Sequence, residues 1–448
     1  MHRSCQLSRR NLLRSASAAA AFSIVPRHVL AQSGQRSPNE KLNVALIGLG
    51  WAGRTDVDSL AGENIVALCD CDTTRELDWR KKYPGAQQFV DYRRMLDQMD
   101  KSIDAVVVAT PDHTHAVLAM AAIKRGKHVY CEKPLAHNIA EVRALMKVAR
   151  ERKVVTQLGN QGHSSESIRR FCEWIWDGAI GQVHTIHACC QVQNSGLARL
   201  GEIRQRPPVP PGLDWNLWLG PAMDRPYHPA YLHESWRGWV PFGNGTIGDW
   251  TCHVLDPVFW ALELGAPRSV VAQAKDYDPK TQGDAFPLGD VITYEFPATE
   301  KRGEIKLVWY SGTERMPRPE MLEPGRNPVT IGAVVYGDKG AIMYGSHGAG
   351  GVRIIPEEKM KAYRQPEPRI PRLRVSHQQD FAAAIREGRA AGSDFEYGGR
   401  LTEIALLGVI ALKMPGTKLE WDSGAMKFTN SAEANQHIDP PYRAGWTL

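Results

Sequence analysis

The fold of this chain is indicated by the stretch Leu42-Asn43-Val44-Ala45-Leu46-Ile47-Gly48-Leu49-Gly50-Trp51-Ala52-Gly53. Its first half is an apolar run with the length of a buried strand, and a helical segment is predicted directly after its second half. The second half has the spacing GxGxxG. Gly48 permits a tight turn, Gly50 lets the backbone approach a pyrophosphate, and Gly53 lets the helix pack closely on the strand. The motif therefore predicts a dinucleotide site at a helix N-terminus.

A second apolar run, residues 65–69, ends at Asp70, about 20 residues beyond the glycines. A carboxylate at this point accepts hydrogen bonds from the adenosine ribose and repels a 2′-phosphate. Asp70 therefore favours NAD over NADP. Arg75 lies close by in the sequence and keeps NADP as the alternative.

Strands and helices continue to alternate after the glycine motif. Residues 103–109 and 128–131 are strand-like, and a helix is predicted between them over residues 113–125. The second of these strands ends at Glu132-Lys133-Pro134. Such alternation is typical of a parallel sheet that binds ligands at the carboxyl ends of its strands. We expect a Rossmann domain over residues 41–158.

The alternation is lost in residues 159–415, which we predict to be a substrate-binding and oligomerisation domain. The strand-like runs there are residues 183–192, 269–275, 291–296, 304–310 and 330–336. This series predicts a largely antiparallel sheet with helices on one face. Residues 416–448 are expected to form a C-terminal tail packed on the body.

The N-terminus is typical of an export signal over residues 1–31. Its basic region contains Ser8-Arg9-Arg10-Asn11-Leu12-Leu13-Arg14, which resembles the twin-arginine motif. The apolar run at residues 16–25 is about half of the ~20 residues that a spanning helix needs, so we expect no stable membrane anchor. Cleavage after Ala31 would leave residues 32–40 as a linker. We therefore predict export through the twin-arginine machinery to the periplasm or the medium.

Charge and cysteine content exclude other classes of protein. The chain of 448 residues has a formal charge of +6, and five of its 55 lysines and arginines lie in the predicted signal, which leaves 50 against 49 acidic residues. No basic stripe suits a nucleic-acid partner. Eight cysteines, one of them in the signal, show no CxxC pair, so we expect neither a disulfide framework nor a metal site.

The segments GLGWAG, ATPDHTH, CEKPL, DGAIGQV, GNGTIGDWTCHVLDPVFWAL and YGDKGAI together resemble the glucose-fructose oxidoreductase/inositol dehydrogenase (Gfo/Idh/MocA) family. The similarity extends from Lys41 to Leu412. It implies an NAD(P)-dependent oxidoreductase that acts on a sugar, glycoside or polyol, and it implies a homo-oligomer. The predicted cofactor-binding residues are Gly48, Gly50, Trp51, Ala52, Gly53, Asp70, Arg75, Thr110, Pro111, His115, Glu132 and Lys133.

The resemblance also assigns candidate catalytic residues. It implies that Lys133 lies between nicotinamide and substrate, that Glu132 is near the nicotinamide ribose, and that Asp249 and His253 face the substrate. The spacing of Asp249 and His253 independently places both on one face of a helix. Oxidation of an alcohol needs a base such as His253 and a group such as Lys133 that stabilises charge on the oxygen. The chain departs from the family pattern between them, at Trp250 and Thr251.

Further residues are candidates for binding a carbohydrate. Aromatic side chains stack on the apolar faces of sugars, while arginine and amide side chains bond hydroxyl groups. The predicted substrate-binding residues are Asn160, Gln161, Tyr227, Arg237 and Trp239. Packing of a loop is the alternative interpretation for each of them.

Two rival functions remain open at this stage. Free NAD is scarce outside the cytoplasm, so an exported enzyme would need a tightly held cofactor. A redox-neutral reaction, either between two sugars or through a keto intermediate in glycoside cleavage, would regenerate such a cofactor. The other rival is a sugar-binding relative without chemistry, against which the joint presence of Lys133, Asp249 and His253 argues.

Overall fold

The structure is a computed structural model that describes residues 40–448. The predicted export signal over residues 1–31 lies outside the described residues, as does the predicted linker except for its last residue. Export therefore stays a prediction, as does the homo-oligomer.

The described part of the chain contains the following elements. The strands are β1 (Asn43–Ile47), β2 (Asn64–Cys69), β3 (Gln87–Phe89), β4 (Ala105–Val108), β5 (His128–Cys131), β6 (Thr156–Leu158), β7 (Val183–Cys190), β8 (Ser269–Gln273), β9 (Gly289–Phe296), β10 (Ile305–Gly312), β11 (Ile331–Gly337), β12 (Gly340–Gly345), β13 (Gly350–Ile355), β14 (Leu419–Asp422) and β15 (Lys427–Phe428). The α-helices are α1 (Trp51–Ser59), α2 (Glu76–Lys82), α3 (Tyr92–Met99), α4 (Asp112–Lys124), α5 (Ile139–Arg152), α6 (Glu166–Trp176), α7 (Trp215–Leu219), α8 (Gly245–Val254), α9 (Asp256–Ala261), α10 (Pro279–Gln282), α11 (Ser346–Ala349), α12 (Glu357–Ala362), α13 (His377–Glu387), α14 (Phe395–Ala411) and α15 (Ala432–Asn435). Short 3₁₀ helices cover Thr73–Arg75, Asp100–Ser102, Gln161–Ser164, Leu197–Arg199, Glu202–Arg204, Pro229–Tyr231 and Ser235–Gly238.

The first sheet is parallel and has the strand order β3-β2-β1-β4-β5-β6. Every residue of β4 and all but the first residue of β1 are buried, as expected of central strands covered by helices on both faces. The chain reverses its direction of winding between β1 and β4, and ligands bind at such a switch point. The predicted Rossmann fold is confirmed.

The second sheet has the order β13-β12-β11-β7-β10-β9-β8-β14-β15 over the described residues. β7 and β10 are parallel and the other neighbours are antiparallel, so the predicted largely antiparallel sheet is confirmed. The helices α8 and α14 contact it on one side. On the other side the β10–β11 loop packs Met316 and Leu322 against Val334 and Met343.

Two helices begin earlier in the chain than their sequence patterns indicate, since those patterns predict helices over residues 54–61 and 401–413. α1 begins at Trp51 because Gly50, in extended conformation, already forms its N-cap. α14 begins at Phe395, where the Asp394 side chain accepts a hydrogen bond from the backbone of Tyr397. Because glycine disfavours a helix, Gly398 and Gly399 keep the sequence pattern from indicating this first turn. Each lies where a Cβ atom would come within 2.7 Å of a side chain in the Rossmann domain, so these glycines permit close packing rather than end the helix.

The C-terminal tail returns to the Rossmann domain. Arg443 is buried and donates hydrogen bonds to the carbonyl oxygens of Gly220 and Asn216, and Lys124 donates to the carbonyl oxygen of Leu448 at 2.9 Å.

Within residues 40–448 no helix is long and apolar enough to cross a bilayer. All seven cysteines in this part of the chain are free, and six of them are buried.

Candidate active site

A cleft with about 1200 Å³ of free space, including the part open to solvent, lies along the carboxyl edge of the first sheet. Most of the predicted cofactor residues line it: Gly48, Gly50, Trp51, Ala52, Asp70, Arg75, Thr110, Pro111, His115, Glu132 and Lys133. Gly53 does not line the cleft and acts from behind it, because a Cβ atom there would lie 2.2 Å from the carbonyl oxygen of Gly48.

The glycine turn at the switch point is shaped by its surroundings. Gly48 has φ +96°, and a Cβ atom on it would lie 2.4 Å from the carbonyl oxygen of Ala109 at the end of β4. No side chain caps α1, so the first amides of this nine-residue helix are free of a side-chain acceptor. Such amides, together with the positive end of the helix dipole, favour a bound phosphate.

Asp70 holds the glycine turn in place. Its Oδ2 accepts a hydrogen bond from the backbone of Leu49 at 2.8 Å, and its Oδ1 accepts one from the backbone of Asp72 at 2.9 Å. Burial raises the pKa of Asp70, although these hydrogen bonds and the charge of Arg75 act in the opposite direction. The carboxylate thus links the turn to the end of β2, where the ribose of a dinucleotide would lie.

His115 acts on the loop that carries Lys133. Its Nδ1 lies 2.8 Å from the carbonyl oxygen of Pro134 and its Nε2 lies 2.7 Å from that of Thr110. Burial lowers the pKa of His115 to about 4, so the ring is neutral near pH 7. Both ring nitrogens face backbone oxygens, and His115 therefore positions the two strand ends rather than presenting a free nitrogen to the cleft.

The predicted catalytic lysine and aspartate are in direct contact. Lys133 Nζ donates to Asp249 Oδ1 at 2.5 Å and to the carbonyl oxygen of Asp249 at 2.9 Å. Arg237 Nε lies 3.3 Å from the same Oδ1, and Asn194 Nδ2 donates to Oδ2 at 2.9 Å. Lys133 and Arg237 line the cleft and both contact Asp249, so the aspartate adjoins the predicted dinucleotide site.

Burial and the neighbouring charges together decide the protonation states of Asp249 and His253. Burial alone would raise the pKa of Asp249, but Lys133 and Arg237 hold it far below the ordinary value. Burial and the charge of Lys133 lower the pKa of His253 well below its ordinary value. At neutral pH the cluster therefore contains an aspartate carboxylate and a neutral imidazole, and His253 is 4% exposed.

The helix that carries Asp249 and His253 is not disturbed by the departure from the family pattern. α8 runs without interruption through Trp250 and Thr251 to Val254. The hydroxyl of Thr251 donates to the carbonyl oxygen of Ile247, and the indole of Trp250 lies beside the ring of His253 with centroids 5.8 Å apart. The two substitutions therefore change what surrounds His253 and not the course of the helix.

Glu132 is part of a buried acidic pair. Burial and the charge of Asp56 raise the pKa of Glu132 well above its ordinary value, and burial raises that of Asp56 to about 6. Glu132 Oε1 is buried and has no hydrogen-bond partner among the described residues. Glu132 lines the cleft, so its carboxyl group has an unused hydrogen-bonding position beside the predicted cofactor.

Four residues that lie next to the site were not among the predicted site residues: Asp112, Asn194, Asn244 and His347. The buried carboxylate of Asp112, at the start of α4, accepts two hydrogen bonds from Asn244, the residue before α8, each at 3.1 Å. This contact joins the two domains next to the site. The PDHTH segment contained Asp112, but only the fold shows that it meets Asn244.

The predicted substrate residues divide into two groups. Arg237 lines the cleft and contacts Asp249. Trp239 does not belong to the site and is corrected to a packing residue, because it is 1% exposed and its indole donates to the carbonyl oxygen of Ala230. Tyr227 lies against Trp215, outside the lining of the cleft.

Asn160 and Gln161 also lie outside the lining. Asn160 is fully buried and donates from Nδ2 to Asp256 Oδ2 at 3.1 Å. Asp256 also contacts His163 and accepts a hydrogen bond from Tyr397 at 2.6 Å. This buried network packs α9 against the end of β6, so it supports the site from behind. Among residues 40–448 no three histidine, cysteine or acidic side chains gather as metal ligands.

Comparison with known proteins gives consistent results. Residues 42–160 match the model of the Gfo/Idh/MocA oxidoreductase family, NAD-binding Rossmann fold, and residues 196–296 and 325–448 match the model of its C-terminal alpha/beta domain. The chain is 26% identical to levoglucosan dehydrogenase of Pseudarthrobacter phenanthrenivorans over 58% of this chain and 61% of that protein. It is 26% identical to myo-inositol 2-dehydrogenase of Thermotoga maritima over 39% of this chain and 48% of that protein. The matched region thus spans only about half to three fifths of these two relatives.

Solved structures show the same fold. The dehydrogenase WlbA of Bordetella pertussis, in complex with NADH and UDP-GlcNAcA, has a TM-score of 0.58 at 16% identity and covers 85% of this chain and 99% of its own. Levoglucosan dehydrogenase in complex with NADH has a TM-score of 0.56 at 20% identity, with coverage of 85% and 99%. With both of its domains matched, the chain belongs to the Gfo/Idh/MocA oxidoreductase family, which has an NAD-binding Rossmann domain and a C-terminal alpha/beta domain.

Proposed function

We propose that the protein transfers hydride between a nicotinamide dinucleotide and a hydroxyl group of a sugar, glycoside or polyol. The contact of Asp249 with Lys133, which lines the cleft, carries this proposal, and Asp249 lies one helical turn from His253. Two relatives of this chain are named for the oxidation of such compounds.

The residues of the cleft fit a dinucleotide. The glycine turn leaves room for the pyrophosphate, the uncapped start of α1 offers backbone amides to it, and the buried Glu132 Oε1 lacks a protein partner. The cofactor would supply a two-electron acceptor at the end of β5. Gly48, Gly50 and Asp70 would hold its adenosine half, and Glu132 and Lys133 its nicotinamide half.

The side chains supply the proton chemistry. The neutral imidazole of His253 can accept the proton of the substrate hydroxyl, since burial keeps it uncharged at neutral pH. The ammonium group of Lys133 stabilises the negative charge that develops on the oxygen. Asp249 holds that ammonium group in position, and Arg237 and Asn194 fix the aspartate in turn.

The first experiment identifies cofactor and substrate together. Protein purified from its native compartment is denatured and any released nucleotide is identified by mass spectrometry. The intact protein is incubated with a panel of levoglucosan, myo-inositol, L-sorbose and simple glycosides, and products are analysed. A keto product with NADH supports net oxidation, and a product without net NADH supports the redox-neutral variant. If the protein binds neither NAD nor NADP, the proposal is contradicted.

We infer that the cofactor is NAD rather than NADP. Replacing Asp70 with serine is expected to weaken NAD binding about tenfold and to shift the ratio of NADP to NAD turnover in favour of NADP, because the repulsion of a 2′-phosphate is lost. Steady-state kinetics with both nucleotides measures this ratio. Asp72→Asn is the matched control, since it removes a neighbouring charge and leaves the Leu49–Asp70 hydrogen bond intact. An unchanged ratio in Asp70→Ser would argue against the assignment.

We infer further that the cofactor is held tightly. The C-terminal tail places Trp446 in the lining of the cleft beside Tyr92, at a centroid distance of 6.5 Å, and the guanidinium of Arg93 lies 5.1 Å from the Trp446 ring. Replacing Trp446 with alanine is expected to accelerate NADH dissociation about tenfold, because an apolar contact over the cleft is removed. Stopped-flow fluorescence measures the rate. The exposed Trp176 provides the control Trp176→Ala, and equal rates in the two variants would refute a closing role of the tail.

We propose that the protein is exported already folded, with its cofactor bound. The Ser8–Arg14 segment and the small residues before the predicted cleavage point support this. Replacing Arg9 and Arg10 together with lysine is expected to leave the protein in the cytoplasm, as cell fractionation would show. Normal export of that variant would contradict the twin-arginine route.

A further inference from the structure

Three aromatic rings meet at the outer side of the candidate catalytic base. The ring of His347 is stacked on that of His253, with centroids 4.1 Å apart and an interplanar angle of 25°. The indole of Trp250 stands edge-on to both, at 5.8 Å from His253 and 5.7 Å from His347. His253 is buried, whereas His347 is exposed. His347 is thus the imidazole through which this part of the site meets solvent.

The backbone that carries His347 is strained. His347, Gly348 and Ala349 have φ values of 55°, 80° and 61°, in the left-handed region that only glycine adopts without cost. Strain of this kind clusters at ligand-binding sites, where the surrounding structure holds the residue in its conformation.

The surroundings of this turn hold it in place. The hydroxyl groups of Ser165 and Ser167 donate to the carbonyl oxygen of Gly348 at 2.9 and 2.7 Å. Gly162 lies so close that a Cβ atom on it would be 2.2 Å from the carbonyl carbon of His347. The 3₁₀ helix Gln161–Ser164 and the start of α6 therefore fix the backbone that carries the His347 ring, independently of the contacts of its side chain.

The polar atoms of the ring cluster are incompletely satisfied. His347 Nδ1 is hydrogen-bonded to the hydroxyl group of Ser346 at 2.9 Å, whereas its Nε2 forms no hydrogen bond with the described residues. Trp250 Nε1 and His253 Nδ1 are buried without a hydrogen-bond partner in the described part of the chain. Burial and the charge of Lys133 lower the pKa of His347, so its Nε2 can donate or accept at neutral pH.

We propose that His347 is a substrate-binding residue whose Nε2 hydrogen-bonds a second hydroxyl group of the substrate, next to the hydroxyl that reacts at His253. The stacked arrangement places the two imidazoles 4.1 Å apart, so that they can bond neighbouring hydroxyl groups of one polyhydroxylated molecule. A simple secondary alcohol would use His253 and leave His347 without a partner. His347 therefore selects polyols and sugars over mono-alcohols. This inference rests on the proposed function.

The test replaces His347 with glycine, which removes the imidazole and fits the left-handed backbone. With the best-used sugar or polyol of the panel, KM is expected to rise about tenfold, the cost of one lost hydrogen bond to a substrate hydroxyl. The dissociation constant of NADH is expected to stay unchanged, and the unfolding midpoint to stay the same or rise, because strain is relieved. A purely structural role would instead lower the unfolding midpoint. His347→Asn, which tolerates the same backbone and keeps a polar group, is expected to recover part of the loss.

A matched control and a modified substrate sharpen the result. His184 is an exposed histidine whose Nδ1 likewise contacts a neighbouring hydroxyl, that of Thr185 at 2.9 Å, but it lies on β7. His184→Ala is expected to leave both KM and NADH binding unchanged. With an analogue that lacks the hydroxyl next to the reacting one, wild type and His347→Gly are expected to have the same KM.

The outcomes distinguish this inference from the proposed function. Wild-type turnover with an unchanged KM in His347→Gly overturns the role of His347 alone. The role of His347 is also overturned if KM differs between wild type and His347→Gly as much with the deoxy analogue as with the sugar. Failure of the wild-type protein to bind NADH, or to use any member of the panel, overturns the proposed function and this inference with it.

Discussion

Replacing Lys133 with methionine is expected to lower kcat about a thousandfold, because a preorganised positive group next to the developing alkoxide is lost. Methionine has a similar length and keeps the aliphatic packing of the lysine stem. Asp249 keeps its contacts with Arg237 and Asn194, so the buried carboxylate is not left without partners. The fold and the dissociation constant of NADH, within about threefold, are therefore expected to survive. Steady-state kinetics measures kcat, and fluorescence titration measures the dissociation constant of NADH.

The control for this variant is Lys127→Met. Lys127 precedes β5 and Lys133 follows it, so the two lysines lie at opposite ends of one strand. Lys127 contacts Asp100, far from the cleft, and its replacement is expected to leave kcat unchanged. A Lys133→Met protein with wild-type turnover on the panel sugars would show that the lysine does not stabilise the reacting oxygen.

The stability of the Asp112→Asn variant relative to wild type is expected to be higher above neutral pH than below it. Burial raises the pKa of Asp112 to about 7 in the folded protein, and Asn244 donates two hydrogen bonds to it. Since the folded pKa is raised, the stability due to this group is fully present below its unfolded pKa and is lost as the pH rises through about 7. Asparagine keeps the acceptor oxygen and does not titrate.

The difference in unfolding free energy, variant minus wild type, should therefore rise by about 3 kcal/mol between about pH 5 and about pH 8. Urea unfolding at a fixed nucleotide concentration measures it. Asp97→Asn is the control, because Asp97 is exposed and pairs with Arg125, and its difference should vary little with pH. A flat difference for Asp112→Asn would mean that this carboxyl group is already ionised in the folded protein at pH 5.

Much of the first domain was predictable from local patterns. The run that ends in Gly48-Leu49-Gly50 gave strand, turn and helix in order, because the strand is apolar and the turn needs glycine at φ +96°. The prediction missed β12 and β13, since Gly340–Gly345 and Gly350–Ile355 do not alternate between apolar and polar residues. It also assigned Trp239 to the substrate, because a tryptophan in a loop has the same sequence pattern whether it faces a cleft or a core.

The class of fold and the family could be predicted from the sequence, and Lys133, Asp249 and His253 could be singled out as candidate catalytic residues, because each is tied to a short motif. Which distant residues meet them could be seen only in the folded chain. Asn194, Arg237 and His347 come from three separate segments of the second domain, and their approach to α8 depends on how that domain folds. The protonation states likewise depend on the tertiary structure. Lys133 and Arg237 keep Asp249 ionised against the effect of burial, whereas burial keeps His253 neutral, and the local sequence determines neither which charges meet nor how far water is excluded.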